Sequence, residues 1–154
     1  MKPQFVYVTY IETTLDKLWE ALTNGEFTRQ YWSGYTVESD WTPGSPVKFY
    51  APDGSLSHSD KVIRVEKPRL LSYSWRPVGK NVPEEPASTV CFELEPHGSV
   101  IKLTVTHSDF PEDSKIFPMI SSGWPLVLSC LKTWLETDKA LQVNHGDLKL
   151  KCTQ

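Results

Sequence analysis

Four histidines and three cysteines are the side chains in this 154-residue chain best suited to chemistry near neutral pH. His107 closes a strand-like run beside Ser108 and Asp109. An imidazole there can serve as a general acid or base, as a polar anchor in a cavity, or as a hydrogen-bonded group at a sheet edge. His58 lies in Ser55-Leu56-Ser57-His58-Ser59-Asp60, a turn-rich stretch that predicts a solvated ring. His97 and His145 adjoin Gly98 and Gly146, and turns account for both. The histidines are far apart in sequence and no two cysteines have ligand spacing, so no metal site is expected. Nucleophilic catalysis fares no better. The chain has no G-x-S-x-G elbow, no glycine-rich phosphate loop and no cysteine in an electropositive setting. No residue is assigned as catalytic, and no cofactor is expected.

The aromatic residues carry the stronger signal. Six Trp, six Tyr and six Phe are many for a chain this size, and strand alternation turns several of them the same way. Leu71, Tyr73 and Trp75 share one face, as do Val90, Phe92 and Leu94 on the next strand. Ile101, Leu103, Val105 and His107 follow suit, and Val47 and Phe49 do so earlier.

The opposing surface comes from residues 123–136, the longest helical pattern in the chain. Trp124, Leu128, Leu131 and Leu135 recur at steps of four, three and four, which stacks them on one helical face. Val127 and Trp134 widen that face, while Lys132, Thr133 and Glu136 mark the polar side. Pro125 fits the first helical position, where its missing N–H costs nothing. Cys130 reads as a small core hydrophobe. Sheet faces meeting this helix would leave an apolar space with a few polar tips, the usual description of a ligand pocket. The candidate lining is Trp32, Phe49, Tyr73, Trp75, Phe92 and His107 on one side, with Trp124, Leu128 and Leu131 on the helix. The competing reading is that these side chains simply fill the core.

The elements that must position them follow from punctuation. Residues 5–11 are β-branched and aromatic and read as a strand. Thr13 and Thr14 offer an N-cap for a helix carrying Leu15, Leu18, Trp19 and Leu22, which Asn24-Gly25 ends. A second short helix over 26–32 stops at Ser33-Gly34. Short strands are predicted at 35–41, 47–51, 60–66, 70–76, 89–94 and 100–107. Residues 78–87 form a polar, proline-bearing loop, and 110–123 read as irregular because of Pro111 and Pro118. This order predicts an α+β helix-grip fold: a curved antiparallel sheet of about seven strands, two short N-terminal helices and a long C-terminal helix.

Bulk properties narrow the classes. Length predicts one domain over 1–154, with 39% hydrophobic and 23% charged residues as in ordinary soluble proteins. Net charge is −3 and the 16 basic residues are scattered, so a nucleic-acid footprint is not expected. No stretch approaches the ~20 apolar residues of a membrane span, and the first residues lack a signal peptide's apolar core. Three widely spaced cysteines predict reduced thiols and a cytoplasmic location.

Four motifs, in order and spacing, resemble a known family. They are Ile11-Glu12-Thr13-Thr14-Leu15-Asp16-Lys17-Leu18-Trp19-Glu20-Ala21-Leu22-Thr23 with the later Trp32; Leu70-Leu71-Ser72-Tyr73-Ser74-Trp75 after Glu66-Lys67-Pro68-Arg69; Ser88-Thr89-Val90-Cys91-Phe92-Glu93-Leu94 with Leu103-Thr104-Val105-Thr106-His107; and Gly123-Trp124-Pro125 continuing to Glu136. The chain resembles the activator of Hsp90 ATPase homologue type of the START/Bet v 1-like (SRPBCC) superfamily. The resemblance implies a helix-grip domain that binds a small hydrophobic or aromatic molecule. It equally admits a polyketide cyclase or hydrolase-like enzyme with His107 as acid or base, or a module that contacts an Hsp90-type chaperone. Pairing of an edge strand such as the N-terminal one would make a homodimer.

Overall fold

In the computed structural model of the chain, residues 2–141 are described; His145 and Cys152 lie outside them. The elements run β1 (Phe5–Ile11), α1 (Leu15–Thr23), α2 (Gly25–Tyr31), β2 (Thr36–Ser39), β3 (Pro46–Tyr50), β4 (Leu56–Glu66), β5 (Leu70–Trp75), β6 (Ser88–His97), β7 (Val100–Ser108) and α3 (Ile116–Thr137). All seven strands join one curved antiparallel sheet in the order β1-β7-β6-β5-β4-β3-β2. Strands β2 to β7 form a meander, and β1 returns to pair with the last strand. The helix-grip α+β architecture expected from the sequence is the one observed.

Period-two patterning decides which face is covered. In β7, Ile101, Leu103, Val105 and His107 are buried while their neighbours are partly exposed. In β1 the alternation leaves Val6, Val8 and Tyr10 exposed on the outer side. β5 is the exception: every residue from Leu71 to Trp75 is buried. Its outer-face polar groups are satisfied within the sheet, Ser72 Oγ donating to Val90 O and Ser74 Oγ to Lys61 O.

The two short helices are built by caps and one close approach. Thr14 caps α1 through the Lys17 amide, and Asn24 both ends α1 and caps α2 through the Glu26 amide. Gly25 lies so near β2 that a Cβ there would sit 2.5 Å from Val37 O. Thr28, wholly buried, donates to Tyr35 O and accepts from the Val37 amide, binding α2 to that strand.

Two elements differ from the sequence reading. α3 begins at Ile116 rather than near Gly123, and Pro125 lies inside the helix instead of at its start. Pro118 falls in the first turn, where no N–H is needed, and Pro125 forfeits only one bond of a long helix. A buried stripe of Ile116, Ile120, Gly123, Trp124, Val127, Leu128 and Leu131 holds the added turns in place. The second difference is β4, which starts at Leu56, so His58 belongs to a strand and not to a solvated turn. It pairs directly with Phe49 of β3, which puts both side chains on the inner face.

α3 lies against β1, α1 and α2 and is tied at both ends. Near its C-terminus, Lys132 Nζ donates to Tyr10 O, and Glu136 accepts from the Glu12 amide. At its N-terminus the cap residue Lys115 supplies no side-chain bond. Glu85 does so from the β5–β6 loop, accepting from the amides of Lys115 at 2.6 Å and Ile116 at 3.3 Å and from Ser114 Oγ at 2.7 Å.

Candidate functional site

Between the sheet and α3 the inner-face residues converge on Trp75, the last residue of β5. Trp75 packs on Trp32, which ends α2, on Phe49 of β3, and on Trp124 of α3. Two histidines adjoin it. The His58 ring centroid is 4.2 Å from that of Trp75, and the His107 centroid 5.6 Å. Tyr73 and Phe92 extend the contacts along the sheet, and Phe92 meets Trp124 edge-on at 5.9 Å.

His107 is wholly buried and both its nitrogens are engaged. Nδ1 lies 3.0 Å from Nε1 of Trp124, and Nε2 lies 2.7 Å from Ser88 Oγ. An indole nitrogen only donates, so Nδ1 must accept and the ring proton must sit on Nε2. Ser88 therefore accepts from His107 and donates its own O–H to Trp75 O at 3.3 Å. Burial, with His58 adding to it, pushes the His107 pKa down to about 3, so the ring is neutral at physiological pH.

The Ser88–His107 spacing is that of a nucleophile and its base, but the tautomer is the wrong one. In a working dyad a carboxylate accepts from Nδ1–H and leaves the Nε2 lone pair free to take the serine proton. Here Trp124 donates to Nδ1, and Nε2 has no lone pair to offer. The carboxylate nearest in sequence belongs to Asp109, itself in the left-handed region (φ 66°), and accepts from Thr89 Oγ1 at 2.6 Å. In this arrangement both bonds of His107 orient the ring.

His58 is held differently. Its Nδ1 is shielded from solvent and has no hydrogen-bond partner, although another edge of the residue is partly exposed. Burial lowers its pKa to about 3. Trp75 Nε1 is likewise buried and unpartnered. Among the described residues only Thr13 Oγ1 shares this condition, and two of the three atoms thus sit on touching rings. Burial raises the thiol pKa of Cys130, and of Cys91 with Glu93 adding and Arg64 opposing, so neither described cysteine is activated. Among the described residues no group of three or more His, Cys, Asp or Glu side chains is placed to hold a metal ion.

A family model described as activator of Hsp90 ATPase homolog 1-like protein matches residues 12–136. The chain belongs to that family. No curated protein matches it. Solved structures share the fold. The Aha1 dimer from Colwellia psychrerythraea superposes with a TM-score of 0.73 at 21% identity, over 90% of this chain and 99% of that one. Protein MLL2253 from Mesorhizobium loti gives 0.74 at 25% identity over 86% and 96%. PFC0360w, an HSP90 activator from Plasmodium falciparum, gives 0.70 at 20% identity over 86% and 95%.

Within this member of the family, seven of the nine residues singled out in the sequence form one connected set of rings: Trp32, Phe49, Tyr73, Trp75, Phe92, His107 and Trp124. Leu128 and Leu131 are buried in the same core from α3. Three residues escaped the sequence reading. Ser88 stood at the edge of a motif with nothing to mark its bond to His107. Phe110 lay in the stretch read as irregular, and its ring is 4.7 Å from His107. His58 was hidden by serines. Its pairing with Phe49 follows a register shift between Phe49 and Tyr50, which no local turn signal marks.

Proposed function

We propose that this chain is a binding protein which holds a small hydrophobic or aromatic molecule between its sheet and α3. The observation that carries the reading is the pair of buried, unpartnered ring nitrogens, His58 Nδ1 and Trp75 Nε1, inside an aromatic cluster. Such atoms cost about 1–3 kcal/mol each when left unsatisfied, and folded proteins leave few of them. A bound molecule with a polar tip would satisfy both. The aromatic walls, from Trp32 and Phe49 to Phe92 and Trp124, suit an apolar body. Residues 1–154 act in this reading as one ligand-binding domain.

Binding is favoured over catalysis because both nitrogens of His107 are already committed to Trp124 and Ser88. Native mass spectrometry of freshly purified protein tests the reading. A discrete adduct that disappears on denaturation supports it. The bare chain mass alone, with no adduct after incubation with aromatic compounds, overturns it.

A second reading, contact with an Hsp90-type chaperone, is supported by the family model and by the Plasmodium neighbour described as an HSP90 activator. Recovery of Hsp90 on the immobilised chain would establish it, and a clean failure would remove it. The exposed Val6, Val8 and Tyr10 of edge strand β1 support pairing with a second copy. No helix among the described residues is long and apolar enough to cross a membrane. The unpaired Cys91 and Cys130 support a cytoplasmic location.

A further inference from the structure

We propose that Trp75 Nε1 and His58 Nδ1 form the polar end of the site and select an uncharged, hydroxyl-bearing aromatic ligand, an inference that rests on the binding role just argued. The indole N–H can only donate, so the ligand must bring an acceptor to Trp75. His58 Nδ1, without a proton in one tautomer of the neutral ring, calls for a donor. A hydroxyl oxygen supplies both at once, accepting from the indole and donating to the imidazole. The ring centroids are 4.2 Å apart, and in this proposal one such group serves both nitrogens.

Charge is selected against. A carboxylate would enter a cluster whose two histidines are held neutral by burial, and the desolvation of an unpaired ion is far costlier than that of a hydroxyl. Arg76, the next residue after Trp75, is already paired with Asp60 at 3.4 Å. An ammonium group would find aromatic faces but would offer Trp75 no acceptor. The flat ligand body follows from the surrounding Trp32, Phe49 and Trp124 rings, which favour offset or edge-on stacking.

The test is calorimetric titration of the intact chain with two matched series: phenol, anisole and benzene, then 2-naphthol, 2-methoxynaphthalene and naphthalene. The hydroxyl compound of at least one series should bind about tenfold more tightly than its ether and its hydrocarbon, the step expected for one satisfied buried pair. In W75F that preference should collapse, and H58F should reduce it too. Equal affinity within both series would overturn the hydroxyl assignment yet leave an apolar site standing, as would a preference that survives in W75F. If no member of either series binds, the binding role itself falls along with the assignment. Circular dichroism of W75F and H58F shows whether each variant is folded, and the wild-type series decides the matter even if neither is.

Discussion

The indole N–H of Trp124 donates to Nδ1 of His107 over 3.0 Å, and that single bond joins α3 to β7 while fixing the imidazole tautomer. A residue that could have been a general base is thereby turned into a strut. Nitrogen-15 NMR should find His107 in the Nε2–H form and still neutral at pH 5. Trp124→Phe keeps an aromatic body but strands a buried acceptor, and should cost about 1–3 kcal/mol in urea denaturation.

Acid should unfold this protein through its two buried histidines. His58 and His107 have folded-state pKa values near 3 against an ordinary value of 6.5. Between those limits the unfolded chain binds more protons than the folded one. Stability is therefore complete above about pH 6.5 and is lost as pH falls toward 3, at no more than about 1.4 kcal/mol per pH unit for each histidine. Urea midpoints measured from pH 7 to pH 4 should fall steeply, and His58→Phe should flatten the decline. A variant with the same slope as the parent would contradict the burial of Nδ1.

Glu85 should govern the first turn of α3. Its carboxylate accepts from two backbone amides and from the Ser114 hydroxyl, which itself accepts from the Phe117 amide at 3.0 Å. Glu85→Ala should cost about 1–2 kcal/mol. Hydrogen exchange should show the loss first at the amides of Lys115 and Ile116. Uniform loss of protection along α3 would mean that Glu85 does not act as a cap.

What the sequence hid was whatever depended on a distant partner. The alternation through Tyr73, Trp75, Phe92 and His107 is local, so the inner faces and the sheet were legible from it. The start of α3 was not, because Pro118 and Pro125 are breakers by local rules and are overridden by packing of Ile116 and Ile120. The Glu85 cap joins residues about thirty positions apart, beyond any local motif. His58 sits among serines that resemble a turn, and only its pairing with Phe49 brings it inside. The locked tautomer of His107 needed Trp124 and Ser88 at once, and they lie on different elements.

Gly25→Ala probes the junction of α2 and β2. The new methyl group would lie 2.5 Å from Val37 O and 2.6 Å from Thr36 Cγ2, so the backbone of one element must move. A loss of about 1–3 kcal/mol is expected, as for overpacking elsewhere. Because Trp32 follows α2 directly, its contacts with Phe49 and Trp75 should loosen as well.

The central claim is that a ligand's polar group meets Trp75 between the sheet and α3. Its most direct test is a ¹H–¹⁵N correlation spectrum of the six indole N–H groups during titration with 2-naphthol and with phenol. Trp41 and Trp124 already donate, to Thr23 O and to His107, and serve as internal references. The Trp75 peak should move furthest and saturate with the ligand. Indole peaks that all stay in place, or a Trp75 peak that stays while others move, would contradict the claim.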